Sequence, residues 1–414
     1  MLKDQDKSIA LIGWSIPSIE AADKLKKPFV VVSFPEFEEY AKKHDIPFIS
    51  YHFDKDITYE EIYEQAKALS QQLTDINVDV AIPLFEETVE WAGALNAHLK
   101  NNPRQFNHSL LFRNKAKMKR RAQIGGLKVS VFEEGFNKND VQQFLKRVND
   151  ALLVGEQEEL APIHVKPYDK AGASGHHVIR TLEDVESLLQ DDQFPLLMES
   201  HLDGVEISCE AFIHNRKLKF LNITEYVVFG HSMMAPPSPE IEELRPRVRE
   251  TVEQLIDTFD IECGLIHPEF FLNEKNELSF VEVAYRIPGG HIFNLIQRVY
   301  DFCPFQAHIL CCDPNTTDED IRDFFPEEEK ANGYAASFDL YPRVKFVKGL
   351  DMPKELEEHH CYEKHTIHHH LSGKGKVPEF DGYGNNYSTI FFYGDDHNDV
   401  KQPLMDYADH DFYI

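Results

Sequence analysis

The chain has 414 residues, with 43 basic side chains against 71 acidic ones and a formal charge of −28. That length suits two or three folded units, and 42% hydrophobic with 28% charged residues is too apolar for intrinsic disorder. The acidic surplus argues against a general nucleic-acid binder and against docking on anionic membranes, since both need clustered Lys and Arg.

A small anionic ligand such as a nucleotide is compatible with this charge, because local geometry overrides the net balance. No apolar run approaches the ~20 residues of a membrane-spanning helix, and Met1–Lys7 lacks the hydrophobic stretch of a signal peptide. The six cysteines are scattered without CxxC spacing, as expected of reduced core residues in a cytoplasmic protein.

In chain order, Ser8–Gly13, Pro28–Phe34, Pro47–Phe53 and Val78–Phe85 read as buried strands. Tyr59, Ile62, Tyr63, Ala66, Leu69 and Leu73 recur at helical spacing, and Thr58 followed by Glu61 forms a capping box ahead of them. A second helix over Thr88–Leu99 sets Val89, Ala92, Leu95 and Leu99 on one stripe. Strands alternating with helices predict a parallel sheet with covered faces, an N-terminal Rossmann-like α/β domain over residues 1–105 that ends at the break Asn101–Arg104.

A basic stretch, Arg113–Arg121, follows; taken alone it reads as a solvated helix face. Short amphipathic helices at 139–148 and 181–189 surround the strand Ile163–Pro167 in a smaller unit over 106–195. Long strands then begin: Val205–Ile213 and Leu218–Val228 form an antiparallel hairpin across His214–Lys217, and a helix spans roughly 240–259. Beyond residue 300 the pattern is mixed α and β, within a third unit over 196–414. Three α/β units around a shared cleft result.

The richest chemistry lies in Cys263–Gly290. Gly264–Leu272 and Leu278–Ala284 read as strands around the turn Asn273–Glu277. Alternation sets His267, Glu269 and Phe271 on one side, and Leu278, Phe280, Glu282, Ala284 and Arg286 on one side of the partner. An even number of loop residues would bring Glu269 and Glu282 onto the same face. Two carboxylates that close repel in a semi-apolar sheet unless a cation lies between them. Mg²⁺ suits such a site, because it takes few carboxylates and completes its shell with water and phosphate oxygens. The alternative is two solvent-facing glutamates on an edge hairpin, which the apolar neighbours weaken. Arg286-Ile287-Pro288-Gly289-Gly290 adds a cation beside backbone able to approach a ligand closely.

Lys166, at a strand end, is followed by Ala171-Gly172-Ala173-Ser174-Gly175, a loop of small residues suited to clamp phosphates through backbone N–H groups. It lacks the GK[ST] ending of a Walker A loop, and a plain surface turn is the alternative. Leu196–Glu206 is an apolar strand running into Glu199 and a glycine turn. As a hinge it could bind an adenine edge through its backbone and ribose hydroxyls through the carboxylate; otherwise it is merely a strand and a turn.

Taken in order, Lys115, Lys166 with its loop, the Glu199 hinge, Glu269, Glu282 and Arg286 resemble the ATP-grasp superfamily over roughly residues 80–300. The resemblance implies an α/β ATP-grasp fold, with the N-terminal domain followed by two α+β subdomains that enclose ATP. It implies that Lys115 and Lys166 contact the phosphates, that the loop carrying Ser174 closes over them, and that Glu199 meets the ribose while Ser200, Leu202 and Glu206 frame the nucleotide. Glu269 and Glu282 match the carboxylates that bridge two Mg²⁺ ions, for which Mn²⁺ substitutes. The family's usual third ligand, an Asn two residues after the second Glu, is Ala284 here. In that departure the Glu282-x-Ala-x-Arg286 pattern is similar to the bacterial L-amino-acid ligases.

That subfamily implies Glu86, with Glu87 as the alternative, near the amino group of the first substrate, and Gly289 and Gly290 beside the substrates. Arg286 would steady the oxyanion. His231, ahead of Pro237-Ser238, matches a histidine near the reacting group, an exposed loop histidine being the alternative. The implied activity is an ATP-dependent carboxylate–amine ligase that joins two L-amino acids through an acyl phosphate and releases ADP and phosphate. A basic first amino acid such as arginine fits the acidic surplus and is a preference found in this ligase family, one member of which serves antibiotic synthesis. Alternatives are a ligase of a non-amino-acid carboxylate, an adenylating synthetase and a non-catalytic ATP-binding regulator. The expected partners are small-molecule amino acids, without nucleic acid or membrane, and with room for a homodimer. His359, His360, Cys361, His365, His368, His369 and His370 cluster as a transition-metal site or as histidines alternating along a surface strand, with no catalytic part assigned.

Overall fold

The computed structural model describes residues 7–54, 57–152, 161–341, 347–368 and 386–414, whose strands form three sheets. The first is parallel, with β1 (Ser8–Ile12), β2 (Phe29–Ser33), β3 (Phe48–Ser50) and β4 (Val78–Pro83) in the order β3-β2-β1-β4. Its strands are apolar on both faces because both are covered. Ala10, Ile12, Val30 and Val32 pack on the helices Tyr59–Asp75 and Val89–Leu99 through Leu69, Leu73, Trp91 and Leu95. On the other face Ile9, Leu11, Val31 and Ile82 share a core with Phe212, Phe293 and Phe305 of the third unit. The capping box forms as expected: Glu61 N–H donates to Thr58 Oγ1 at 3.2 Å and Thr58 N–H to Glu61 Oε2 at 2.8 Å.

The second sheet is antiparallel: β5 (Phe132–Gly135), β6 (Ile163–Lys166), β7 (His177–Ile179) and β8 (Leu196–Ser200), in the order β5-β8-β6-β7. Helices Lys138–Leu152 and Leu182–Leu188 cover one face, where Val141, Phe144, Leu145, Val185, Ile163, Val165 and Met198 form a separate core. Because β8 pairs with β5 and β6, this unit runs to Ser200, past the boundary expected at 195.

The third sheet is antiparallel and eight-stranded. It contains β9 (Val205–His214), β10 (Lys217–Val228), β11 (Ser232–Ala235), β12 (Gly264–Leu272), β13 (Leu278–Ala284), β14 (Tyr334–Leu340), β15 (Tyr362–Ile367) and β16 (Ser388–Gly394). The order β13-β12-β9-β10-β11-β14-β16-β15 joins the segment after residue 300 to the long strands before it. The helix expected over 240–259 is two, Pro239–Glu242 and Arg245–Phe259, because Pro246 fits a helix's first turn rather than its interior. At the entrance to β9, Gly204 has φ +122°, and an added Cβ would lie 2.1 Å from the Leu272 carbonyl oxygen, so only glycine fits there.

Candidate active site

The basic stretch is not a solvated face. Asn114 caps the helix Lys115–Ile124 by accepting the Lys117 N–H at 2.9 Å. Lys115 and Lys119, four residues apart, therefore lie on one face, and both are buried; Lys117, Arg120 and Arg121 are exposed. Lys119 reaches Glu199 at 2.6 Å and donates to the Phe280 carbonyl at 3.0 Å.

From the second sheet, Lys166 also meets Glu199 at 2.6 Å, and it lies 3.9 Å from Glu282. Lys115 donates to the Lys170 carbonyl at 2.5 Å and stands 3.5 Å from Glu282. Ser130 donates a further hydrogen bond to Glu199 at 2.8 Å. Burial alone would raise the Glu199 carboxyl; Lys119 and Lys166 outweigh it and hold the group well below the usual carboxylate range. Burial would lower Lys166, but Glu199 and Glu282 keep its ammonium charged.

Glu269 and Glu282 are direct cross-strand partners. The loop between Leu272 and Leu278 has an odd number of residues, which on a regular ladder would set these side chains on opposite faces. A β-bulge restores the match: Glu269 pairs with Glu282 while Phe270 pairs with Phe280, leaving Val281 unpaired. Glu206 joins them on β9, where Ser208 opposes Glu269 and Glu206 opposes Phe271. Burial, then Glu269 and Glu282, push the Glu206 carboxyl up to about 9, and its Oε2 is buried without a hydrogen-bond partner. Tyr226 donates to Glu269 at 3.3 Å. His267 bridges Glu210 at 2.9 Å and Glu269 at 3.5 Å. Burial would lower this imidazole, yet those two carboxylates raise it to about 9.

Glu86, just beyond β4, is clasped by two guanidiniums: Arg113 at 2.5 Å and Arg286 at 2.6 Å. Arg113 also reaches Glu90 at 2.9 Å, and Arg286 donates to the Ile287 carbonyl at 2.8 Å. Burial would raise Glu86, but Arg286, Arg113 and Lys115 bring it down to about 2. Glu87 is exposed. At Gly289 nothing lies within 4 Å of an added Cβ, whereas at Gly290, with φ +60°, a Cβ would overlap Met233.

The structure thus brings Lys115, Lys166, Glu199, Glu206, Glu269 and Glu282 into one charge cluster, with Glu86 and Arg286 joined beside Lys115. Ser174 sits in the turn of the small-residue loop, its N–H donating to the Ala171 carbonyl at 3.2 Å. Ser200 bonds the Val131 backbone at the end of β8, and half-buried Leu202 follows it. His231 is not in the cluster. It lies in the β10–β11 turn against Phe338 and Tyr341.

Sequence reasoning overlooked Lys119, Arg113, His267 as a bridge, and a histidine ladder. His164 Nδ1 lies 2.9 Å from His176 Nε2, and His164 Nε2 lies 2.9 Å from His201 Nδ1, with both ring pairs stacked. His164 lies two residues before Lys166 on β6, whereas His176 just precedes β7 and His201 just follows β8, so no local spacing announces the ladder. His359, His360 and Cys361 offer ligand atoms within 4.8 Å of one another, ahead of β15, which carries His365; His369 and His370 lie outside the described residues. The six cysteines are free, and no helix among the described residues is long and apolar enough to cross a membrane.

A parallel sheet, a small antiparallel sheet and a large antiparallel sheet, with lysines from a helix and the small sheet opposite hairpin carboxylates, make an ATP-grasp fold. The crystal structure of L-amino acid ligase from Bacillus licheniformis superposes with a TM-score of 0.74 at 16% identity, covering 100% of this chain and 99% of that one. The biotin carboxylase domain of Hydrogenobacter thermophilus 2-oxoglutarate carboxylase, a dimer in complex with MgADP, ADP and bicarbonate, gives 0.64 at 14% identity, covering 99% and 91%. In sequence, the L-arginine-specific L-amino acid ligase of Bacillus subtilis is 24% identical over 263 residues. That match covers 58% of this chain and spans 59% of the relative's length. No protein-family model matches the chain.

Proposed function

We propose that the protein is an ATP-dependent ligase that joins two L-amino acids into a dipeptide and releases ADP and phosphate. The observation that carries this reading is the facing of Lys115 and Lys166 onto Glu282 at 3.5 and 3.9 Å, beside Glu269. The acids fit a divalent cation: Glu206, Glu269 and Glu282 crowd together, and the orphaned Glu206 Oε2 is an oxygen ligand in want of a partner. Glu269 and Glu282 would hold Mg²⁺, or Mn²⁺ in its place. The metal, when bound, would offset phosphate charge and polarise the transferring phosphoryl group.

The chain's own groups do the rest. Lys115 and Lys166 set ammonium charges against the β- and γ-phosphates, so a substrate carboxylate can approach the tetra-anion. The carboxylate oxygen attacks the γ-phosphorus and ADP leaves, giving an acyl phosphate. The α-amine of the second amino acid attacks the acyl carbon, loses a proton, and phosphate leaves as the amide forms. Arg286, oriented by Glu86, would steady the oxyanion of that step. Closure of the loop around Ser174 excludes water from the acyl phosphate. Glu199, Ser200 and Leu202 would hold the nucleoside. A cytoplasmic homodimer completes the proposal, its oligomeric state being read by light scattering.

The test incubates the protein with ATP, Mg²⁺ and pooled amino acids and identifies products by mass spectrometry. ADP with a new dipeptide is expected. AMP would indicate adenylation, an amide with another acid would indicate a different carboxylate substrate, and intact ATP would indicate a regulator.

A further inference from the structure

A group of metal-ligating side chains lies outside the charge cluster. His359, His360 and Cys361 form the turn between the helix Lys354–Glu357 and β15, at the edge of the large sheet, and their ligand atoms all lie within 4.8 Å of one another. Around a tetrahedral ion, ~2.0 Å from nitrogen and ~2.3 Å from sulfur, donors stand roughly 3.5 Å apart, so small side-chain rotations bring these three onto one ion.

The backbone holds the turn in place. The Tyr362 N–H donates to the His359 carbonyl at 2.9 Å, and the Tyr393 N–H to the Cys361 carbonyl at 2.8 Å. Cys361 Sγ rests against Gly394, where an added Cβ would come within 2.7 Å of it. The thiol is buried, His359 is half-buried and His360 is exposed, so an ion can enter from solvent past His360 to a sheltered sulfur.

A second observation is the partner of His360. Its Nε2 lies 3.0 Å from Oδ2 of Asp399, in the first turn of the helix His397–Asp406. A carboxylate only accepts, so Nε2 carries the proton and the Nδ1 lone pair is left for a ligand. So exposed a pair adds little to folding stability. A carboxylate behind a histidine does, however, orient the ring and strengthen it as a metal ligand. His359 stacks on His360 with ring centres 4.6 Å apart, and its Nδ1 accepts the Cys361 N–H at 3.2 Å, so that lone pair already faces Cys361.

We propose that His359, His360 and Cys361 bind one zinc-like divalent ion, with Asp399 orienting His360. A thiolate with two imidazoles suits Zn²⁺ and its transition-row neighbours, whereas Mg²⁺ and Ca²⁺ take oxygen, so the site is chemically separate from Glu206, Glu269 and Glu282. On binding, the Cys361 thiol releases its proton to solvent, and the fourth position falls to water. The ion would tie the turn to the helix His397–Asp406, whose Val400 and Leu404 share a core with Cys361. The inference is independent of the ligase reading.

The test titrates untagged full-length protein, reduced and freed of metal, with Co²⁺ in excess Mg²⁺, which competes at the carboxylates. One Co²⁺ per chain is expected, with thiolate charge-transfer absorption and the strong visible bands of a tetrahedral ion, all bleached by Zn²⁺. Cys361→Ser should abolish the charge-transfer band. Asp399→Asn should keep it but weaken binding about tenfold to a hundredfold, and His360→Ala should weaken binding more than that. Cys263→Ser is the control, because Cys263 Sγ also lies near a histidine, 3.7 Å from His214 Nδ1, and it should change nothing. No binding, binding without the charge-transfer band, or a band lost with Cys263 rather than Cys361 would overturn the assignment. Should Cys361→Ser fail to fold, the exposed His360→Ala decides, and an unchanged Co²⁺ affinity there would overturn it too.

Discussion

Arg286 and Glu86, 200 residues apart in sequence, meet at 2.6 Å and so tie the loop after β13 to the end of β4. The guanidinium cannot swing freely, because Glu86 fixes its Nε and the Ile287 carbonyl takes Nη1. Arg113 shares the same carboxylate, so the pair is one half-buried triad rather than an isolated bridge.

Glu86→Gln should therefore strip Arg286 of its counter-charge and leave Arg113 with Glu90 alone. Stability is expected to fall by about 3 kcal/mol, and dipeptide formation by about tenfold to a hundredfold. Urea denaturation and product analysis check both. Unchanged values would show that Arg286 needs no orienting carboxylate.

Glu282 faces both Lys115 and Lys166, so Glu282→Ala removes the acid common to the lysines and the proposed metal. Turnover should drop by about a hundredfold or more, and chelation of divalent metal should abolish it in the unmodified protein. Near-normal ADP release from the variant would refute the metal role.

The two lysines on Glu199 should behave differently. Lys119 is fully buried, so Lys119→Met is expected to destabilise the fold by about 3 kcal/mol. Lys166→Met leaves Glu199 with Lys119 and should instead raise the KM for ATP while lowering kcat. Thermal melts and steady-state kinetics separate the cases, and a reversal of the two patterns would reject this division.

The histidine ladder predicts an acid limit on stability. Burial, the neighbouring imidazoles and Lys166 bring His164 down to about 4, and burial with Lys166 does the same to His176; Glu199 opposes the shift in each. The folded state thus binds fewer protons than the unfolded chain, whose histidines titrate near ~6.5. The stability present above pH ~6.5 should decline as pH falls toward about 4. His164→Leu with His176→Leu should flatten that decline in denaturant midpoints. Parallel profiles would remove the ladder from the account.

The N-terminal sheet was legible because its apolar runs are uninterrupted and Thr58 with Glu61 writes a helix start into the sequence. The helix Ile16–Lys24 falls outside the elements predicted above; its Pro17 occupies the first turn, where no N–H is needed. Alternation brought Glu269 and Glu282 into view, but the bulge at Val281 that aligns them carries no residue signature of its own. The basic stretch misled for a similar reason. What buries Lys119 is Glu199, 80 residues further on, and long-range charge pairing leaves no local pattern.

The sharing of cores decides which parts of the molecule can move. The first sheet buries Ile9, Leu11 and Val31 in the same apolar mass as Phe212 and Phe293, so sliding it would open that interior to water. The small sheet keeps Val141, Phe144 and Met198 in a private interior. Rotation about the Ser200–Gly204 segment would therefore disturb little packing, and on the proposed ligase reading opening and shutting the cleft would fall to the small sheet, with the other two pieces as a single anvil.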